Sequence, residues 1–117
     1  MSLTKNEIRD RVATDYLGLI QLGETLEHKD SVRILQGIDE VYEYLKTKGL
    51  ATWASTGSVP NDLIPFFTAL VANNCYSAYG LSTERQNKII LDSSTAEASI
   101  RELVSNSGTL EEEPTSF

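Results

Sequence analysis

Apolar side chains recur at three- and four-residue steps in four stretches of the chain, the spacing of an α-helix with one face turned inward. The first runs over about residues 4–21, where Ile8, Val12, Tyr16, Leu19 and Ile20 share a face. Gly23 follows the loss of this period and is placed to cap the helix C-terminus. The second covers 30–48, with Asp30 or Ser31 able to accept the free amide protons of its first turn. Its inward stripe reads Val32, Leu35, Ile38, Val41, Tyr42 and Leu45, and Gly49 ends it.

The third helix is expected over 61–80. Asp62 can cap it, and Pro65 then falls in the first turn, where a missing amide proton costs little. Phe66, Phe67, Leu70, Val71, Asn74, Cys75, Ala78 and Tyr79 continue at helical steps to Gly80, which makes this the most apolar helix and the expected centre of the core. With Phe66 buried there, Phe66→Ala is expected to cost about 3–5 kcal/mol. The fourth spans 82–105: Ser82 or Thr83 caps it, Glu84 suits its first turn, and Ile89, Ile90, Ala96, Ile100, Leu103 and Val104 face inward. Asp92, Ser93, Ser94 and Thr95 are poor helix-interior residues, and Ser94 with Glu97 matches a capping box, so this is where a kink or restart belongs.

The pattern predicts an all-α, four-helix bundle-like domain over residues 1–105 with an extended acidic C-terminal arm over 106–117. No solenoid period and no strand pair with hairpin turn chemistry is visible. Ala51 to Val59 reads as a loop in which Trp53 has no periodic partner. Its ring is either a lid over the core or an anchor at a subunit interface. In the arm, Leu110 and Phe117 flank Glu111, Glu112, Glu113 and Pro114. Alone in solution such a segment is expected to be disordered, and to bind by folding onto another subunit.

Composition narrows the picture. A chain of 117 residues, 40% hydrophobic and 23% charged, suits one globular domain with a packed core. Ten Lys and Arg against 17 Asp and Glu give a formal charge of -7 and disfavour gripping a duplex by phosphate neutralisation. Cys75 is the only cysteine, so an internal disulfide is impossible; its apolar neighbours mark it as a buried packing thiol and a reducing compartment as the natural setting. The N-terminus turns charged before any apolar run, unlike a secretory signal, and Leu63 to Val71 falls short of the roughly 20 residues of a membrane span. The expected setting is the cytosol or an assembly built there, with no membrane contact.

Chemistry is sparse. His28 is the only histidine and reads as a solvated loop residue. No nucleophile elbow and no nucleotide-binding glycine loop occurs. A glycosidase pair needs one carboxyl in an apolar pocket, whereas Asp39, Glu40 and Glu43 lie mainly off the apolar stripe and Glu24, Glu27 and Glu111 to Glu113 fall in loop or arm. The expectation is a protein without catalytic, cofactor-binding or metal-binding residues, and not an enzyme.

Val59-Pro60, Leu63-Ile64-Pro65, the run ALVANNCYSAYGLSTERQNKI from Ala69 to Ile89, and EASIREL from Glu97 to Leu103 resemble the head-to-tail adaptor family of tailed bacteriophages, which includes head-completion and packaged DNA stabilisation proteins. The likeness covers about Asn6 to Val104 and rests on helix order, spacing and small-residue pattern; the C-terminus is shorter than in the podovirus members. It implies a virion structural protein, assembled in the host cytoplasm, in a homo-oligomeric ring that is usually dodecameric. Such a ring binds beneath the portal protein, extends the DNA channel without sequence-specific binding, and supports a tail or nozzle protein. By position, the family's portal-gripping arm falls on Ser107, Thr109, Leu110, Glu111, Glu112, Glu113, Pro114 and Phe117. Glu24 and Glu27 are candidates for an acidic channel wall that repels phosphates and lets a duplex pass. The competing expectation is a small acidic regulatory or DNA-mimic module that occupies a basic site on a partner protein.

Overall fold

The computed structural model describes residues 2–21, 24–51, 53 and 59–105. Gly23 and the whole arm from Asn106 to Phe117 lie outside the described residues, as do the expectations attached to them.

Helix α1 spans Lys5–Arg11. Thr4 caps it reciprocally: its hydroxyl accepts from the Glu7 amide at 3.2 Å while the Glu7 carboxylate accepts from the Thr4 amide at 2.9 Å. The chain then widens into a π-helical turn over Val12–Leu17 that buries Val12, Ala13 and Leu17. Gly18 ends it with φ 63, a left-handed conformation that costs glycine little. The first helix therefore stops before Leu19 and Ile20, not after Gln21. An ideal Cβ on Gly18 would stand 2.6 Å from Cζ of Arg85, whose guanidinium donates to the Tyr16 carbonyl at 3.2 Å. The terminus is thus set by a tertiary contact that helical spacing does not encode.

Helix α2 spans His28–Thr47. It starts two residues before Asp30, so His28 is an exposed helical residue rather than a loop residue. Glu27 precedes it in extended conformation and no side chain caps it; Asp30 sits in the first turn, where its charge opposes the helix dipole. Ile34, Ile38, Val41, Tyr42 and Leu45 are buried as a stripe, but Val32 is exposed and Leu35 only partly covered. The buried face is turned by the close approach of the next helix at Gly37, where a Cβ would come within 2.9 Å of the Asn74 side chain. After Lys48, Gly49 adopts φ 75 and ends the helix as the sequence predicts.

Val59–Pro60 (β2) pairs antiparallel with Ser2–Leu3 (β1), Ser2 opposite Pro60. This two-residue ladder corrects the expectation of no strand pairing: the partners are remote in sequence, so no hairpin signal announces them. A 3₁₀ turn at Asn61–Leu63 leads into α3, Ile64–Cys75, with Pro65 in its first turn and no side-chain bond from Asp62. A second 3₁₀ turn, Tyr76–Ala78, closes it before Gly80. Phe67, not Phe66, is the fully buried aromatic; Phe66 is partly buried on the flank.

Helix α4 spans Thr83–Ser94, its first turn capped by the Ser82 hydroxyl accepting from the Arg85 amide at 3.2 Å. The break foreseen near Thr95 occurs: Thr95 takes φ -110 and ψ 0, and α5 resumes over Ala96–Leu103. Ser93 and Ser94 donate to the carbonyls of Ile90 and Leu91, competing with the helical ladder. The Ser94–Glu97 capping box does not form, because Glu97 is drawn to Tyr44 and Arg101 instead. Ile90, expected inside, is exposed.

Helix α3 is the centre of the molecule. It packs against α2 on one flank, against α4 and α5 on the other, and against the π turn. Ile8, Val12, Leu17, Ile34, Ile38, Leu45, Phe67, Val71, Cys75, Ile89 and Ile100 fill the core between these elements. The fold is all-α and bundle-like, with the small ladder as its one sheet element among the described residues. No helix in them is long and apolar enough to cross a membrane.

Candidate interaction site

Apolar side chains left outside the core mark where the surface departs from a plain solvated one. On α4, Leu91 is 69% exposed and Ile90 46%, and on α2 Val32 is 50% exposed. These positions lie on opposite flanks of α3.

Leu91 borders a groove of about 260 Å³ lined by Tyr16, Pro65, Phe66, Ala69, Asp92 and Thr95. Three elements build it. The π turn presents Tyr16, the proline-opened first turn of α3 presents Pro65 and Phe66, and the α4–α5 break places Thr95 at one end. Tyr16 is held there by its hydroxyl, which donates to Asp92 at 2.8 Å, and by Lys88, whose ammonium lies 4.9 Å from the ring centroid. Lys88 also donates to Asp92 at 3.0 Å. Burial, then the Asp92 hydrogen bond and charge, pushes the Tyr16 phenol well above its ordinary range. The bonds from Lys88 and Tyr16 hold the Asp92 carboxyl below its own. The groove wall is therefore fixed in one geometry by a polar network at its edge.

The opposite flank carries the acidic residues foreseen for a channel wall. Glu24 and Glu27 are exposed, in and after the segment that leads to α2. Glu24 folds back to accept from the Gln21 amide at 2.7 Å, and Glu27 stands 4.0 Å from the Lys29 ammonium. Together with Asp30 they line a shallow depression with Leu19, Ile20 and Leu26. Asp30, Arg33 and Tyr79 border the adjoining one. There burial and Asp30 push the Tyr79 phenol up to about 12. Arg33 is occupied with the Asn74 side chain and carbonyl, at 3.3 and 3.1 Å.

Trp53 sits over the core. Its ring meets Tyr42 at 5.9 Å and Phe67 edge-on at 6.0 Å between centroids, and its carbonyl accepts from the Tyr42 hydroxyl at 3.3 Å. The indole Nε1 is buried with no hydrogen-bond partner. The ring covers Phe67, as one of the two readings of its sequence position requires.

Among the described residues no carboxylate is buried and Thr68 is the one buried polar side chain, donating to the Ile64 carbonyl at 2.8 Å. No group of three metal-binding side chains occurs among them. Cys75 is fully buried and desolvation raises its thiol to about 11, the inert packing role read from its neighbours. The arm residues Ser107, Thr109, Leu110, Glu111 to Glu113, Pro114 and Phe117 lie outside the described residues. Sequence reasoning missed the groove because it placed Ile90 and Phe66 in the core; the exposed apolar pair at Ile90 and Leu91, beside a helix break, was the available signal. The chain matches no protein-family model, no curated protein and no solved structure.

Proposed function

We propose that this protein is a non-enzymatic structural adaptor whose surface is built for assembly with other protein subunits. The observation that carries this reading is the uncovered apolar pair Ile90 and Leu91 beside a groove whose wall is pinned by Tyr16, Lys88 and Asp92. Burying such side chains stabilises a complex by about 25 cal/mol per Å² of apolar surface removed from water, and nothing within the chain covers them. In its specific form the proposal is the one the sequence resemblance implies: a subunit of a phage head-to-tail connector, ringed beneath a portal and surrounding DNA. Glu24 and Glu27, exposed and acidic, suit a wall past which a polyanion slides without adhering.

A second reading is an acidic regulatory module. It is favoured by Asp39, Glu40 and Glu43, which stand together on the outer face of α2. Asp39 is already paired with Lys5 at 2.7 Å, and Glu40 accepts from Gln36 and Asn74, which leaves less free charge for a basic partner.

Native mass spectrometry of the full chain mixed with a phage portal ring tests the proposal. Recruitment of many copies per portal supports it. Failure to bind any portal, with a one-to-one complex on a basic protein, replaces it with the second reading.

A further inference from the structure

We propose that the outward face of α4 around Ile90 and Leu91 docks on the outward face of α2 around Val32 in a second copy of this chain, the two helices running antiparallel. The inference rests on the adaptor reading and names the surfaces through which its subunits meet.

Three observations point to this occupant. First, α2 and α4 each pack on α3 from opposite sides, so the two exposed apolar spots face away from one another within a chain. A contact between unlike faces on opposite flanks leaves each added copy with a free face, and successive copies build an open chain or a closed ring.

Second, the two faces match in spacing. At 1.5 Å per residue, Lys88 and Arg85 stand about 4.5 and 9 Å from Leu91 along α4, while Gln36, Asp39 and Glu40 stand about 6, 10.5 and 12 Å from Val32 along α2. Seating Leu91 on Val32 with the helices antiparallel brings the cations of one copy alongside the amide and carboxylates of the other.

Third, the charges complement. Around Leu91 the outward face of α4 carries Arg85, Lys88 and one carboxylate, Glu84; beyond Val32 the face of α2 carries Asp39, Glu40 and Glu43. Glu84 falls about 10.5 Å from Leu91, opposite Asp39, whose own charge is met by Lys5 at 2.7 Å. Ile90 and the groove edge at Thr95 flank the seat, so the apolar contact has a rim.

The test uses Val32→Asp and Leu91→Asp in the full chain. Both positions are exposed, so each variant should keep the wild-type helical circular dichroism and melting temperature. Sedimentation velocity across a rising concentration series measures association. Wild type is expected to form dimers and larger species, and each variant alone to lose association by at least about tenfold, since a charge replaces an apolar residue at the centre of the contact. Mixing the two variants should restore a heterodimer that grows no further, because the Leu91→Asp chain still offers an intact α2 face and the Val32→Asp chain an intact α4 face.

Two results overturn the inference. If wild type associates and either variant does so equally well, the docking faces are others and the adaptor reading stands untouched. If wild type stays monomeric up to millimolar concentration, the self-docking faces are refuted, while recruitment by a portal remains the separate measure of the adaptor reading.

Discussion

At the scale of single residues, the structure separates neighbours that the sequence treats alike. Phe67 is fully buried and Phe66 is not. Phe67→Ala should therefore cost about 3–5 kcal/mol and Phe66→Ala clearly less, read by chemical denaturation. Gly18→Ala should cost at least about 1–2 kcal/mol, since the left-handed backbone is retained while the added methyl displaces the Arg85 guanidinium. Trp53→Phe should leave stability unchanged or raised, because the ring packing survives and an unpaired indole N–H, a penalty of about 1–3 kcal/mol, is removed. The pairing of Phe66 with Phe67 shows what periodicity gives and withholds. It places an aromatic pair on α3, but which of the two points inward depends on where the helix starts and on the 3₁₀ turn before it. Cys75, whose neighbours are apolar on both sides in sequence, was readable as buried without such help.

At the scale of elements, helix existence was legible and helix ends were legible only where a local signal fixes them. Gly49 and Ser82 are such signals, and both act as read. The end of α1 is not local: it depends on Arg85, distant in sequence, and on a π turn that departs from the 3.6-residue period. The same displacement hid the interaction groove, whose wall is that turn. Ser82→Ala should cost about 1 kcal/mol in thermal unfolding through the lost cap of α4. The link between the π turn and α4 also predicts a pH dependence. The folded-state pKa values of Tyr16, Cys75 and Tyr79 are raised, so their contribution is complete below the ordinary thiol and phenol ranges, 9.0 and 10.0, and is lost as pH rises through the folded values. Asp92 and Glu97 are lowered, so theirs is present above the ordinary carboxylate range and is lost as pH falls through it. Denaturation midpoints should accordingly stay level near neutrality, fall above about pH 9 and fall again below about pH 4; Cys75→Ala should weaken the alkaline decline.

At the scale of the whole molecule, an α3-centred core leaves two outer helices with unlike faces, one bearing Ile90 and Leu91, the other Val32 among carboxylates. The all-α architecture was legible from four amphipathic stretches; the faces for assembly were not, because a stripe of three or four apolar residues per two turns does not say which member is left outside. With a net charge of -7, copies brought together also repel one another, so apolar contact and local cation–carboxylate pairing must outweigh that field. The most direct measurement is electron microscopy of the full chain bound to a portal ring. The account predicts rotationally symmetric particles with a central hole, α4 of each copy lying on α2 of the next. Particles holding a single copy, or copies with no common axis, contradict it.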